Sequence, residues 1–354
     1  MAVTEEVAGQ RPAADERLAR VNPLRRLMVR PEMGAVSGSI VVWVFFAIFA
    51  GDRGFLSARG TANYLQVAAE LGILAVAVAL LMIGGEFDLS VGSVLGACGM
   101  IIVVLSVEYG WNIWAAIAAS LLFAIAVGII NGYIVLTTGL PSFIVTLAML
   151  FIVRGATIGL TRQITGRTQL GGLGNVPGYE TAKAVFASRL KIAGAEFSIS
   201  ILWWLAIAAL ATWILLRTPF GNWITGVGGN VQAARNIGVP VIRVKILLFI
   251  GTAVSGWLVA TIQAVTFTNS DVLRGNFREF YAIVAAVIGG TLLTGGYGSA
   301  IGAVFGALIF GMVQQGIVFM GVDADWFQAV LGAMLLAAVL INRFVRNRAM
   351  EVRR

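Results

Sequence analysis

Ten stretches of this chain run for roughly the length of a bilayer crossing while staying almost free of charge, and no other feature restricts its fold so strongly. They fall at roughly 36–50, 64–83, 89–107, 111–136, 141–160, 199–216, 246–268, 277–293, 298–319 and 326–342. A helix that spans lipid needs about 20 predominantly apolar residues, because every backbone N–H and C=O must find its partner inside the helix. The pattern predicts an all-α integral membrane protein with about ten transmembrane helices. The first stretch is short, and the closely spaced pairs around 84–88 and 294–297 leave room for re-entrant elements.

The basic residues set an orientation. Six arginines precede residue 36, Arg217, Arg235, Arg243 and Lys245 lie in the loop 217–245, and five more arginines follow residue 342. Nine others lie on the opposite face, five of them in the long loop 161–198, where charge has less influence on translocation. Both termini are therefore expected in the cytoplasm. The expected organisation is a cytoplasmic tail over 1–35, a transmembrane domain over 36–342 and a basic cytoplasmic tail over 343–354. The loop 161–198 faces outward as a connector, a lid or a docking surface. The first thirty residues contain no apolar core, so they read as a polar cytosolic tail and not as a signal peptide.

Composition removes several kinds of chemistry. The chain has 59% hydrophobic and 12% charged residues, a mean hydropathy of +0.90 and no histidine. Without imidazole, histidine-ligated haem, zincin chemistry and histidine proton relays are excluded. Cys98 has no partner for an intramolecular disulfide, and no metal site is expected. The net charge of +8 gathers in the tails and one loop, which points to membrane topology and away from nucleic acid.

Glycines recur one helical turn apart, at Gly92 and Gly96, Gly128 and Gly132, Gly302 and Gly306. Small residues at this spacing let helix backbones approach closely in lipid. The segments "GSVLGA" (92–97) and "GAVFGA" (302–307) each follow a Gly-Gly pair and a short polar stretch, a faint trace of internal repetition.

Ionisable residues within the apolar segments are few: Glu70, Glu86, Asp88 and Arg154. Glu70 and Arg154 must face protein or water, and they are candidates to pair. In "IGGEFDLSVGS" (83–93) the Gly-Gly pair ends one helix, and Asp88 or Ser90 is placed to cap the next. Glu86, Asp88 and Ser90 are thus candidates for an inner gate or a helix cap. No Gly-Lys pair exists, so the chain lacks a phosphate-binding loop of the usual kind.

The stretch "GVGGNVQAARNIGV" (226–239) contains Asn230 as an N-cap, a short helix and a closing Gly238. Such a helix is too short to span a membrane and reads as a cytoplasmic surface element. Here the chain resembles the permease subunit of bacterial ABC importers for monosaccharides, the ribose and xylose branch of binding-protein-dependent systems, over roughly residues 60–345. The resemblance rests on "GGEFDLSVGSVLG", "LPSFIVTLAMLFIVRGATIGLT", "GVGGNVQAARNIGV" and "AIVAAVIGGTLLTGGYGSAIGAVFGALIFGMVQQGI" in that order. One departure is Asn222 after Gly221, where the family commonly has Gly-Arg.

The resemblance implies a non-enzymatic transport subunit in the bacterial inner membrane. Its partners would be a cytoplasmic ABC ATPase, a periplasmic sugar-binding protein, a second permease copy in a homodimer, and membrane lipid. No cofactor would bind to this chain; ATP and Mg would sit on the ATPase. Gly228, Gly229, Asn230, Ala233, Ala234, Arg235 and Gly238 would form the helix that couples to it. Polar and aromatic residues at membrane depth, Asn131, Thr137, Ser142, Phe143, Thr146 and Gln263, are candidates for the substrate path. A stand-alone secondary transporter or channel for a small polar solute is the alternative.

Overall fold

A computed structural model describes residues 31–351; the tail before residue 31 and residues 352–354 lie outside the described residues. Among the described residues thirteen α-helices dominate. The helices are α1 (Pro31–Ala50), α2 (Ala58–Ile83), α3 (Val91–Val103), α4 (Ile113–Thr138), α5 (Ser142–Thr165), α6 (Tyr179–Phe186), α7 (Ser200–Arg217), α8 (Pro219–Gly229), α9 (Val231–Asn236), α10 (Val241–Phe267), α11 (Arg278–Ile288), α12 (Ala300–Phe319) and α13 (Phe327–Glu351). Eight helices among the described residues are long and apolar enough to cross a membrane. The stretch expected at 277–293 is instead the 11-residue α11 followed by a helix break, and the stretch at 326–342 has an apolar helical part over Phe327–Leu340. The helix α13 runs on to Glu351, past the boundary expected at residue 342.

The centre of the bundle is α2 and α3, which are mostly buried, whereas α1, α5 and α7 are mostly exposed. Around α2 pack α7, α10, α11 and α12, and α10 also packs on α3 and α4. Glycine makes these contacts close. A side chain at Gly128 would come within 2.7 Å of the Ile250 Cα, and one at Gly306 would overlap the Ala285 carbonyl oxygen. Since lipid offers little hydrophobic force to join helices, backbone-to-backbone van der Waals contact replaces it.

The loop 161–198 forms an ordered cap. Strand β1 (Gln169–Gly171) pairs antiparallel with β4 (Asn269–Asp271), and β2 (Arg189–Ile192) forms a hairpin with β3 (Ala195–Ser198). Between them α6 is tied down: the Tyr179 hydroxyl donates to the Val265 carbonyl at 3.0 Å, and the Trp114 indole donates to Thr181 at 2.8 Å.

Two helix pairs, α2 with α3 and α11 with α12, are interrupted in the same way. After α2, Gly85 has φ +84°, and the Glu86 N–H reaches back to the Leu81 carbonyl; after α11, Gly290 has φ +89°, and the Thr291 N–H reaches back to the Ala286 carbonyl. These are the left-handed C-terminal closures for which glycine has no steric cost.

Candidate functional site

The first break, residues 84–90, passes through the protein interior and is fixed there by side chains from three other helices. Asp88 is fully buried; its Oδ1 accepts from the Ser90 N–H (2.8 Å) and hydroxyl (2.6 Å), and its Oδ2 accepts from Thr252 of α10 (2.9 Å). Asn131 of α4 donates to the Ser90 oxygen at 2.8 Å. From the start of α5, Ser142 accepts from the Phe87 N–H (3.0 Å), and Thr146 accepts from the Leu89 N–H (3.1 Å). An ionised carboxylate removed from water costs several kcal/mol unless it is paired or hydrogen-bonded, and here three donors satisfy it.

The capping expected of Asp88 or Ser90 takes another form. Ser90 makes no side-chain bond to the helix that follows; its hydroxyl serves Asp88, and Asp88 closes a short turn onto the Ser90 N–H. Glu86 forms an ion pair with Lys245 of α10, with both side chains about nine-tenths buried. Sequence reasoning counted Lys245 as a loop charge. The helical spacing of Val241, Val244, Lys245 and Leu248, all facing inward in α10, is the signal that places it inside.

The loop 217–245 meets both breaks. Its first half, read from sequence as loop, is the helix α8, with Thr218 accepting from the Gly221 N–H and Gly221, Ile224 and Val227 turned inward. Asn230 then caps α9, its side chain accepting from the Ala233 N–H at 2.9 Å, and Gly238 at φ +84° ends it. Ala234 is buried, whereas Ala233, Arg235 and Gly238 are exposed, as is Ile237 at 82%.

At the turn between α8 and α9 three glycine pairs come together. A side chain at Gly228 would overlap the Ile83 carbonyl and come within 2.7 Å of the Gly296 nitrogen; one at Gly295 would sit 2.8 Å from the Gly85 Cα; one at Gly296 would sit 2.8 Å from the Gly229 Cα. The two breaks are also joined directly, the Gly296 N–H donating to the Ile83 carbonyl at 2.8 Å. Gly228 and Gly229, just before α9, thus touch both breaks through backbone alone, with no flexible side chains between them.

The residues chosen for a substrate path separate into two groups. Asn131, Ser142 and Thr146 hold the first break, and Gln263 donates to Glu70 at 2.7 Å. Phe143 is half exposed, and Thr137 is exposed with its hydroxyl on the Tyr133 carbonyl. Arg154 does not pair with Glu70 but with Glu279 of α11, at 3.4 Å. Glu279, almost fully buried, was missed because it opens a segment whose edge reads as a loop boundary. Among the described residues no group of three or more His, Cys, Asp or Glu side chains could hold a metal ion.

Known proteins share this sequence pattern. A family model described as "Branched-chain amino acid transport system / permease component" matches residues 60–339. The xylose transport system permease protein of Escherichia coli (strain K12) is 31% identical, with 94% of this chain and 100% of that protein covered. The fructose import permease protein of Rhizobium meliloti is 30% identical over 86% of this chain and 83% of its own, and the ribose import permease protein of Escherichia coli (strain K12) is 30% identical over 90% and 96%. No solved structure matches the chain.

Proposed function

Because the chain belongs to the permease family of ABC import systems, we propose that it forms the translocation path for a monosaccharide and that its loop 217–245 takes up the push of a separate ATPase. It is a multi-pass inner-membrane protein and a transport subunit, working with an ATPase and a binding protein as its family does. The substrate class follows from relatives whose names specify xylose, fructose and ribose. A second copy of the chain completes the path, the periplasmic binding protein docks on the outward cap, and lipid surrounds the outer helices. ATP and Mg belong to the ATPase, and this chain binds no cofactor of its own.

The observation that carries the coupling reading is the junction of Gly85, Gly228, Gly295 and Gly296. Gly228 and Gly229 sit in that junction, Asn230 fixes the start of α9, and Ala234 anchors α9 to the bundle. Ala233, Arg235 and Gly238, with the exposed Ile237, face the ATPase. Closure of the ATPase around α9 displaces the junction and shifts the balance between inward-open and outward-open states. Glu86, Asp88 and Ser90 keep the first break, the inner gate, in shape while this happens.

The test is Ile237→Asp, which alters the exposed face of α9 and leaves the buried Ala234 in place. The ATPase is expected to stop co-purifying with the permease, and uptake to fall at least about tenfold, the factor that about 1.4 kcal/mol of lost docking produces. Retention of the ATPase at the wild-type level would contradict the reading.

A further inference from the structure

Residues 263–279 collect buried polar atoms that nothing in the protein satisfies. Of nine such side-chain atoms among the described residues, four are here: Gln263 Oε1, Thr266 Oγ1, Ser270 Oγ and Glu279 Oε2. Buried polar groups are nearly always hydrogen-bonded, so a cluster without partners calls for an explanation. Gln263 Oε1 and Glu279 Oε2 accept only, and the two hydroxyls can both donate and accept.

The part of this wall from Ser270 to Glu279 lies against the one face of α3 that has no side chains. A Cβ at Gly92 would overlap Glu279 Oε2, one at Gly96 would be 3.1 Å from the Val272 carbonyl, and one at Gly99 would be 2.5 Å from Ser270 Oγ. The seven residue steps from Gly92 to Gly99 make this seam about 10 Å long, at 1.5 Å rise per residue. No hydrogen bond crosses it between those side chains and α3, so the two surfaces touch without being bonded.

Both ends of the irregular segment between α10 and α11 are held in left-handed backbone conformations by residues that rarely adopt them. Thr268 has φ +55° and Phe277 has φ +63°. For β-branched and bulky residues this marks strain that the surroundings enforce, and such strain gathers at sites that move or bind. The restraints on the segment include the three-residue pairing of β1 with β4, the Gly172 and Leu173 N–H groups on the Thr268 carbonyl, the Val272 N–H on the Thr168 carbonyl, the Arg274 clamp on Asn269, and the 3.4 Å pair of Arg154 with Glu279.

From these observations we infer that the seam between the glycine face of α3 and residues 263–279 opens during transport and receives the sugar. Thr268 and Phe277 are its hinges, and the sugar's hydroxyls donate to Gln263 Oε1 and Glu279 Oε2. A monosaccharide is an uncharged ring of hydroxyl donors, which is what acceptors without donors lack. The inference rests on the sugar-importer reading above and adds the place where the sugar is held.

The test uses the assembled importer in proteoliposomes, with its ATPase, its binding protein and ATP. Uptake of D-xylose, D-ribose and D-fructose is measured first, and failure of all three would remove the sugar reading and this site with it. With a transported sugar in hand, Ser270→Cys places a thiol in the closed seam, where the Ser270 side chain faces Gly99 and is 1% exposed. A membrane-permeant maleimide is expected to label it at least tenfold faster during turnover than at rest, with the buried Cys98 of the unsubstituted protein as the unreactive control. Uptake that proceeds while Ser270→Cys stays protected overturns the site and leaves the importer reading standing. Glu279→Gln and Gln263→Leu are each expected to lower uptake at least tenfold, and retention within twofold by both overturns the acceptor role. Phe277→Gly relieves the left-handed hinge. It is expected to raise the thermal midpoint and slow uptake at least threefold; a raised midpoint with unchanged uptake makes the conformation merely structural and overturns the hinge.

Discussion

The two helix breaks close their first helices by the same backbone turn and then diverge. Residues 84–90 carry two carboxylates, held by Lys245 and Thr252 of α10, while Asn131 of α4 and Ser142 and Thr146 of α5 bond the Ser90 hydroxyl and the backbone of the break. Residues 289–299 carry no charge: the Leu292 N–H donates to Tyr297, Ser299 caps α12, and the Thr291 hydroxyl is buried without a partner. The first break is welded to the bundle by side chains, whereas the second leans on the first through Gly296 and Ile83. On the coupling proposed above, a push delivered at Gly228 and Gly229 meets one surface held by side chains and one that is not, so that the same turn would serve as an anchor in one place and as a lever in the other.

Removing the anchor has the largest expected effect. Lys245→Met leaves Glu86 buried without its partner, a change that costs about 3–5 kcal/mol where one member of a buried pair is lost. The thermal midpoint of the purified permease is expected to fall sharply, and Glu86→Gln combined with Lys245→Met to recover most of the loss. If the double variant is as unstable as the single one, the pair is not what holds the break. Jamming the contact between the breaks comes next: Gly228→Ala forces a methyl group against Ile83 and should cost about 1–3 kcal/mol, as overpacking does. Here the ATPase should still co-purify while uptake is lost, in contrast to Ile237→Asp, where both go.

Smaller changes sharpen the contrast. Ser299→Ala deletes the cap on α12 that accepts from the Gly302 N–H, worth about 1 kcal/mol, and loosens only the lever. Uptake should change more than the thermal midpoint. Asp88→Asn should be the mildest, below about 1 kcal/mol. The Thr252 hydroxyl has one proton and two acceptors within 2.9 Å, Asp88 and the Phe249 carbonyl, so it can turn to Phe249 and accept from the new amide. Complete loss of transport in Asp88→Asn with normal assembly would show that the charge itself is required.

Much of this architecture is legible before any coordinates. Apolar run length identifies the spanning helices, and Gly-Gly followed by a polar residue marks both breaks, because only glycine closes a helix in the left-handed region without strain. Asn230 and Gly238 likewise announce α9 from both ends. What stays hidden is pairing across the bundle: Arg154 lies 125 residues from Glu279 and Lys245 lies 159 from Glu86. Local spacing says nothing about such contacts. Polarity at membrane depth is ambiguous for the same reason: Asn131, Ser142 and Thr146 satisfy the backbone and the Ser90 hydroxyl of a neighbouring helix break, a need that the sequence around them does not reveal.

The claim that the second break moves against the first is open to one direct measurement. Spin labels on Thr138→Cys, exposed at the end of α4 beside the anchor, and on Leu293→Cys, exposed in the lever, report their separation in the assembled importer, and the buried Cys98 stays unlabelled. Between the nucleotide-free and ATP-bound states the account predicts a shift of a few ångström, on the order of the 1–5 Å displacements of packed helices in switching proteins. An unchanged distance in an importer that is actively taking up sugar would contradict it.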